Sequence, residues 1–240
     1  MIVRMFLNCS LQQGIKADLD SGQVNYLANV LRMKNGDKLA VFDGRSGEYE
    51  AITENLSRKS GSLRIGRKIR DFSPSPDIWL LFAPLKKDCT DMVIQKATEL
   101  GAAKIIPVIT KYTNNANIRI ERYAAQAIEA AEQCRRLDVP QIEKPQTLDV
   151  MLKNFPADRT LFFLNEKGSK QDILETIKNH TGKAALLIGP EGGFSEDEIK
   201  KILAYPKVCD IFLGNRILRA ETAALAGLVC WQAVNGDWKD

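Results

Sequence analysis

Hydrophobic and polar positions along residues 1–70 predict a small unit rich in β-strands. Apolar residues from Val24 to Leu31 recur at helical spacing, so we expect one amphipathic helix with Ser21 as its N-cap. Three other stretches combine apolar residues with flanking turn formers, which predicts strands at 38–42, 48–53 and 62–66.

Pro74 and Pro76 mark the best candidate domain boundary, because proline continues neither a helix nor a central strand. Beyond them, apolar runs predict strands at 78–83, 104–108, 160–164, 184–188 and 208–213. Amphipathic stretches between these strands predict helices at 90–100, 120–135, 170–179, 196–204 and 220–234. This alternation indicates an α/β domain with a mainly parallel sheet covered on both faces. We therefore predict domains at residues 1–72 and 77–240.

Composition narrows the class of protein. Hydrophobic residues make up 45% and charged residues 27% of the chain, as in ordinary globular proteins. Because there is no run of about 18 apolar residues and no secretory signal, we expect a soluble, cytoplasmic protein without membrane contact. The five cysteines are scattered and His180 is the only histidine, so we expect reduced thiols, no metal site and a surface role for His180.

Positive charge is concentrated at the beginning of the chain. Residues 1–70 contain 12 basic and 7 acidic residues, whereas the remainder contains 22 basic and 23 acidic residues. A polyanion would suit the first segment, since its phosphates release counterions on binding. A solvated surface without a ligand explains the charge equally well.

Two segments that follow predicted strands are candidates for chemistry, because ligands bind at the carboxyl edge of open parallel sheets. In the first, residues 189–193 contain three glycines and a proline, and Ser195 with Glu198 forms a capping-box pair. The spacing matches neither a dinucleotide fingerprint nor a P-loop. A tight crossover turn without a ligand is the alternative.

The second segment, residues 213–223, places Arg216, Arg219 and Glu221 where a strand leads into a helix. An apolar pair separates the two arginines, which indicates a partly buried loop whose guanidinium groups need a partner. In the alternative interpretation, Glu221 complements the helix dipole and the arginines face solvent.

Together, the two segments resemble the signatures of the RsmE family of SPOUT, or knotted, RNA methyltransferases. IGPEGGFS at 188–195 and LGNRILRAETA at 213–223 match the two motifs of that family almost completely. Shorter similarities lie at 30–32, 36–37, 42–49, 84–88, 96–101 and 132–140. One departure is Asn25-Tyr26, where members of the family often carry two histidines.

The resemblance implies a parallel-sheet SPOUT domain with a carboxyl-terminal trefoil knot, preceded by a small β-rich PUA-like domain. It also implies S-adenosylmethionine as cofactor, held by three loops whose backbone reads the adenine. The cofactor-binding residues implied are Leu164, Asn165, Glu166, Ile188, Gly189, Pro190, Glu191, Gly192, Gly193, Leu213, Gly214, Ile217, Leu218 and Thr222.

The reaction implied is methylation of N3 of a uridine in the 16S rRNA of the small ribosomal subunit. N3 of neutral uracil carries a proton, and its removal spreads negative charge onto both ring carbonyls. In this hypothesis Arg219, assisted by Arg216, stabilises the anion. Glu221 either relays the proton or orients an arginine, and both roles stay open.

The resemblance further implies a homodimer through the helix 223–231 and an RNA-binding surface. The RNA-contact candidates are Arg4, Arg32, Arg64, Arg67, Lys86, Lys87, Arg135 and Arg136, with ordinary solvated charge as the alternative for each. Competing functions are methylation of another base or of a ribose hydroxyl, and a non-catalytic RNA-binding assembly factor. A nucleotide-dependent oxidoreductase or NTPase lacks its phosphate signature.

Overall fold

The computed structural model describes residues 3–114, 118–166, 168 and 171–239, and the chain forms two units. The first unit contains Met1–Pro74 together with Ala131–Val139, and the second contains Ser75–Ala130 together with Pro140–Asp240. Position 170, where a helix was predicted to begin, lies outside the described residues.

The first unit is built on a five-stranded sheet with the spatial order β1-β3-β4-β5-β2. Its strands are β1 (Arg4–Phe6), β2 (Lys16–Asp18), β3 (Lys38–Phe42), β4 (Glu48–Glu54) and β5 (Ser62–Arg70). β1 and β3 are parallel, and the other neighbours are antiparallel. The three strands predicted from the pattern are confirmed, and they bury Leu39, Val41, Leu63 and Ile65 in the core of this unit.

The predicted helix of the first unit is present, but its cap was predicted one residue too late. It consists of α1 (Ser21–Val24) and a π-helical continuation, Asn25–Val30. Asp20 is the N-cap: its Oδ1 accepts from the N–H of Gln23 at 2.8 Å, and Oε1 of Gln23 accepts from the N–H of Asp20 at 3.0 Å. This reciprocal capping box satisfies two backbone donors that a Ser21 cap would leave open.

Arg4 is an internal structural residue of the first unit. Its side chain is 8% exposed and pairs with Glu48. It also donates to the carbonyl oxygens of Ala131 at 2.9 Å, Glu132 at 2.8 Å and Arg136 at 3.0 Å, which ties the segment Ala131–Val139 to this unit.

The prediction of an RNA contact was therefore wrong for Arg4, because its donors are engaged inside the protein. It was wrong for Arg136 for the same reason. The side chain of Arg136 is 8% exposed and pairs with Asp138 at 2.9 Å.

The second unit contains a parallel sheet with the strand order β12-β10-β11-β6-β7-β8, and β9 pairs with β7. Its strands are β6 (Ile78–Phe82), β7 (Lys104–Ile109), β8 (Gln141–Ile142), β9 (Gln146–Thr147), β10 (Arg159–Leu164), β11 (Lys183–Ile188) and β12 (Val208–Ile211). Every pair in this sheet is parallel, as the alternating pattern predicted. The central strands are almost entirely apolar because helices cover both faces.

Helices of five predicted segments are confirmed in this part of the chain, and one short helix was missed. They are α2 (Lys87–Glu99), α3 (Ile120–Cys134), α4 (Leu148–Asn154, the missed one), α5 (Ile173–Lys178), α6 (Glu196–Leu203) and α7 (Ala220–Asn235). A 3₁₀ turn, Asp237–Lys239, follows α7.

α7 lies unusually close to the sheet at Gly227. A Cβ on Gly227 would stand 3.0 Å from Cδ2 of Leu164 and 3.1 Å from Cδ1 of Leu186. Glycine therefore allows the helix to approach the end of β10 and the middle of β11. Leu164 is the last residue of β10, so this contact fixes the point from which the next loop starts.

A buried cation secures the beginning of β10. The side chain of Arg159 is 3% exposed and donates to both carboxylate oxygens of Asp77 at 2.8 Å. It also donates to the carbonyl oxygens of Asp77 at 3.0 Å and Ala184 at 2.7 Å, and its guanidinium carbon lies 3.7 Å from the centroid of the Trp79 ring. These contacts compensate for the loss of hydration.

His180 packs against aromatic rings, so its prediction as a surface residue was wrong. Its ring centroid lies 5.0 Å from that of Phe162 and 5.7 Å from that of Trp231. The imidazole behaves here as part of an aromatic cluster beneath α7.

In the described part of the chain, no group of three or more His, Cys, Asp or Glu side chains is arranged to hold a metal ion. A search of the described helices finds none with the length and apolar character that crossing a membrane requires.

Candidate active site

A cavity of about 300 Å³ opens at the carboxyl edge of the parallel sheet. Three neighbouring strands, β12, β10 and β11, end at it, because β10 lies between the other two. Each strand is followed by a loop that lines the cavity: 164–166, 189–193 and 212–219. The parallel direction of the strands thus brings three segments that are distant in sequence to one site.

Most residues predicted for cofactor binding lie in the wall of this cavity. They are Leu164, Asn165, Glu166, Ile188, Gly189, Pro190, Glu191, Gly192, Gly193, Leu213, Gly214, Ile217 and Leu218. Arg216 and Arg219 line it as well. Thr222 is corrected: it is exposed on α7, and its helix presents Ala220 and Ala223 to the cavity instead.

Tight packing explains the first glycine of the loop after β11. A Cβ on Gly189 would stand 2.7 Å from Cε2 of Phe194, so any larger residue would displace that ring. Phe194 lines the cavity and packs edge-on against Phe163, with 5.2 Å between the ring centroids. Gly193 has a φ of +67°, a region that favours glycine. The loop is therefore held in one shape by its own packing.

Glu198 connects this glycine-rich loop to the loop that follows β7. Its Oε2 accepts from both the N–H and the hydroxyl of Ser195 at 2.9 Å, as the predicted capping box requires. Its Oε1 accepts from the backbone N–H of Lys111 at 2.7 Å. One carboxylate thus uses both oxygens to hold two loops of the sheet edge together.

The cavity wall carries charges of both signs. Glu166 and Glu191 contribute carboxylates, and Arg216 and Arg219 contribute exposed guanidinium groups that form no ion pair with described residues. Arg219 is the N-cap residue of α7. The free N–H groups of that first turn add a positive field, so this end of the cavity can stabilise negative charge on a substrate.

Glu221 is buried on the first turn of α7 and is not part of the cavity wall. Its negative charge acts on the thiol of Cys89, on α2. Desolvation raises the pKa of the Cys89 thiol, the negative charges of Glu221 and Glu191 raise it further, and Arg219 lowers it. The thiol therefore lies within electrostatic reach of the predicted catalytic residues.

Several residues of the wall were missed by the sequence prediction. They are Phe194, Ile199, Ile211, Phe212, Asn215, Ala220 and Ala223. Phe194 could have been found from its place directly after the glycine-rich loop. Cys89 gave no signal, because nothing in its local sequence places it beside Glu221.

The predicted RNA contacts that remain are exposed within their own units. They are Arg32, Arg64, Arg67 and Arg135 in the first unit and Lys86 and Lys87 in the second. Arg64 pairs with Glu54 at 3.1 Å and Arg67 pairs with Glu50 at 3.3 Å. Exposed pairs of this kind are weak, so these cations remain available to phosphates.

Comparison with known proteins covers both parts of the chain. A family model described as an RNA methyltransferase domain matches residues 73–232, and one described as an RNA methyltransferase PUA domain matches residues 19–66. The ribosomal RNA small subunit methyltransferase E of Rickettsia conorii is 34% identical over 228 residues, which cover 94% of this chain and 93% of that protein. The chain belongs to the ribosomal RNA small subunit methyltransferase E family.

Solved structures with bound cofactor share this fold. A ribosomal RNA small subunit methyltransferase E of Neisseria gonorrhoeae bound to S-adenosylmethionine has a TM-score of 0.89 at 29% identity, covering 99% of this chain and 100% of that one. A methyltransferase of Legionella pneumophila in complex with the same cofactor has a TM-score of 0.88 at 30% identity, covering 99% of both chains. The protein is an S-adenosylmethionine-dependent RNA methyltransferase with an α/β SPOUT domain and a PUA-like domain.

The residues of the cavity fit this cofactor. S-adenosylmethionine has no phosphate, and the described wall contains neither a lysine nor a P-loop. Leu164, Ile188 and Leu218 offer apolar surface to an adenine, and the loop backbone offers hydrogen-bonding groups to its edge. Glu166 and Glu191 suit the positive sulfonium and ammonium groups.

Proposed function

We propose that this protein methylates N3 of a uridine in the 16S rRNA of the small ribosomal subunit. The observation that carries the proposal is the pair of exposed guanidinium groups, Arg216 and Arg219, in the wall of the cofactor cavity. The family supports the substrate, since its members are named for the RNA of the small ribosomal subunit. We propose that the enzyme acts in the cytoplasm, in keeping with a ribosomal substrate.

The chemistry of uracil explains why this position needs cations. N3 carries a proton, and its transfer to solvent water leaves a ring anion with negative charge on both neighbouring carbonyl oxygens. Arg219 can stabilise this anion through paired hydrogen bonds, and Arg216 and the amino end of α7 add positive potential. When bound, S-adenosylmethionine supplies an electrophilic methyl group and leaves as neutral S-adenosylhomocysteine.

Of the two roles considered for Glu221, its placement argues against the proton relay. A general base must come within hydrogen-bonding reach of the proton that it removes, whereas Glu221 is buried and does not line the cavity. Glu221 lies two residues after Arg219, and its negative charge offsets the positive charge of the arginine and of the helix dipole at the amino end of α7. We therefore propose that Glu221 acts through its charge at the amino end of α7 and does not touch the substrate.

The catalytic role of Arg219 is tested by separating cofactor binding from methyl transfer. We expect Arg219→Ala to slow single-turnover transfer by about 100-fold or more and to change the Kd for S-adenosylmethionine by less than about threefold. Arg219→Lys should recover part of the rate, because it restores charge without the paired geometry. Equal losses of binding and rate in Arg219→Ala would remove this residue from the catalytic role.

The target atom is tested by reverse transcription of the methylated RNA. A methyl group on N3 removes the donor that uracil uses for pairing, so the enzyme should create a strong stop at one uridine. A stop that Arg219→Ala abolishes supports the proposal, and transfer of methyl groups without any stop contradicts it.

We also propose that the protein is a homodimer formed through the outward face of α7. Thr222, Val229 and Ala233 are exposed on this helix at spacings of seven and four residues, which place them along one face. Light scattering should give twice the monomer mass, and Val229→Lys should give monomers. A monomeric wild type overturns this assignment.

A further inference from the structure

A second cavity lies beside the cofactor cavity, at the same edge of the sheet. It is a shallow depression, open to solvent, and is lined by Lys111, Tyr112, Thr113, Asn114 and Gly192. Gly192 also lines the cofactor cavity, so the two cavities share one residue. The proposed catalytic mechanism uses none of the four residues that come from the loop after β7.

Tyr112 supplies an aromatic ring to this second cavity. The residue is 43% exposed, and Nζ of Lys111 lies 5.6 Å from the centroid of its ring. An exposed ring beside a cation is the combination that binds unpaired nucleotides, because the ring stacks on the base and the cation attracts the phosphate. Neither residue was singled out by the motifs in the sequence.

The backbone that carries this ring is fixed in advance. The N–H of Thr113 donates to the carbonyl oxygen of Thr110 at 3.2 Å, and the N–H of Thr110 donates to Oγ1 of Thr113 at 2.9 Å. The N–H of Lys111 donates to Glu198 at 2.7 Å, which anchors the turn to α6. A platform held in this way loses little conformational entropy when a ligand binds.

The platform also stands directly against the cofactor loop. A Cβ on Gly192 would be 3.1 Å from Cβ of Tyr112, so only a glycine lets the two backbones come this close. A flat ligand stacked on Tyr112 therefore lies next to the wall that holds the methyl donor. A base held there would be adjacent to the loop that lines both cavities.

We propose that Lys111 and Tyr112 form the subsite for the target nucleotide, an unpaired pyrimidine of RNA, in which Tyr112 stacks on the base and Lys111 binds a neighbouring phosphate. The identity of the base as uracil rests on the proposed function. The stacking itself does not, because an aromatic ring accepts the face of any base.

The test compares Tyr112→Ala with Tyr112→Phe in single-turnover methyl transfer to small ribosomal subunits. We expect Tyr112→Ala to slow transfer at subsaturating subunits by about 10- to 100-fold, and Tyr112→Phe to stay within about twofold of wild type. The Kd for S-adenosylmethionine should change by less than about threefold in both. Trp238→Ala is the matched control, since Trp238 is 55% exposed and follows the opposite end of α7.

Three results would overturn the subsite. They are full activity of Tyr112→Ala, equal losses in the Ala and Phe variants, and a loss of cofactor binding that matches the loss of rate. Lys111→Ala adds an independent check, since removing one phosphate contact should lower the slope of log affinity against log salt by about one. An unchanged slope removes Lys111 from the subsite.

Failure of the proposed function gives a different result. If wild type methylates another base, the rate at which Tyr112→Ala forms that product, relative to wild type, still tests the subsite. If wild type transfers no methyl group, the affinity for a fluorescein-labelled uridine oligonucleotide replaces the rate. The same ratio between the variants is expected there, and equal affinities overturn the subsite.

Discussion

The carboxylate of Glu198 should stabilise the second unit, and we expect Glu198→Ala to lower the free energy of unfolding by about 2 kcal/mol. Loss of the capping interaction with Ser195, whose N–H and hydroxyl lie 2.9 Å from Oε2, costs about 1 kcal/mol. Loss of the charged acceptor of the Lys111 N–H, at 2.7 Å, adds about 1 kcal/mol. At about 2–4 °C for each kcal/mol, we expect the thermal midpoint to fall by about 4–8 °C.

Circular dichroism melts of Glu198→Ala, Glu198→Gln and Glu196→Ala make the test specific. Glu196 lies in the same first turn of α6, so its replacement removes the same favourable charge near the helix amino end. Glutamine keeps acceptor capacity and should recover about half of the loss. If the thermal midpoints of Glu198→Ala and Glu196→Ala lie within about 1 °C of each other, the carboxylate of Glu198 does not hold the two loops together.

Three further predictions concern the cofactor loop, the thiol beside the site and the buried cation. Gly189→Ala places a methyl group 2.7 Å from Cε2 of Phe194, so calorimetry should show at least about tenfold weaker binding of S-adenosylmethionine. Unchanged binding would contradict a packing role for Gly189. Because the pKa of the Cys89 thiol is raised, its alkylation by iodoacetamide should begin at higher pH than that of free cysteine. Glu221→Gln should lower the pH at which alkylation is half-maximal. An unchanged pH profile of alkylation in this variant would argue against the influence of Glu221 on the thiol. Arg159→Met leaves the carbonyl oxygens of Asp77 and Ala184 without their donor, while the half-exposed Asp77 carboxylate can be hydrated, so it should cost about 1–3 kcal/mol in urea unfolding. A loss below about 0.5 kcal/mol would show that these contacts are dispensable.

The order of strands and helices could be predicted wherever an element is long enough to show its period. The helices α2, α3 and α6 show it clearly, whereas β3 and α7 could be predicted as apolar runs. β1 and β2 have three residues each, and α4 has seven, which is too short for a periodic signal. The cap of the first helix was misplaced because Asp20 and Ser21 are both good N-cap residues, and only the reciprocal contact with Gln23 decides between them.

The sequence motifs predicted the candidate site correctly where the side chains or backbone of the motif residues face the cavity. Thr222 was misassigned because a motif does not report which way a helical side chain points. Arg4 was misassigned because its burial depends on a partner more than 40 residues away in the sequence. Arg136 was misassigned because its burial depends on how the segment around Asp138 folds. Neither error could be corrected from charge alone.

The second cavity could not be predicted, because it depends on the order of strands in the sheet. Tyr112 follows β7, and Gly192 follows β11, with β6 between these strands. Their contact therefore depends on tertiary structure and leaves no local pattern. The same holds for Cys89 and Glu221, which meet because α2 and α7 pack together.

Transfer of a methyl group to N3 of uridine in small-subunit ribosomal RNA is the activity that we propose for this protein. The most direct measurement incubates it with methyl-labelled S-adenosylmethionine and small ribosomal subunits from a strain without this activity, followed by nucleoside mass spectrometry. We expect labelled 3-methyluridine from wild type and none from Arg219→Ala. A different labelled nucleoside contradicts the assigned target atom, and no label from folded, cofactor-binding protein contradicts the assigned reaction.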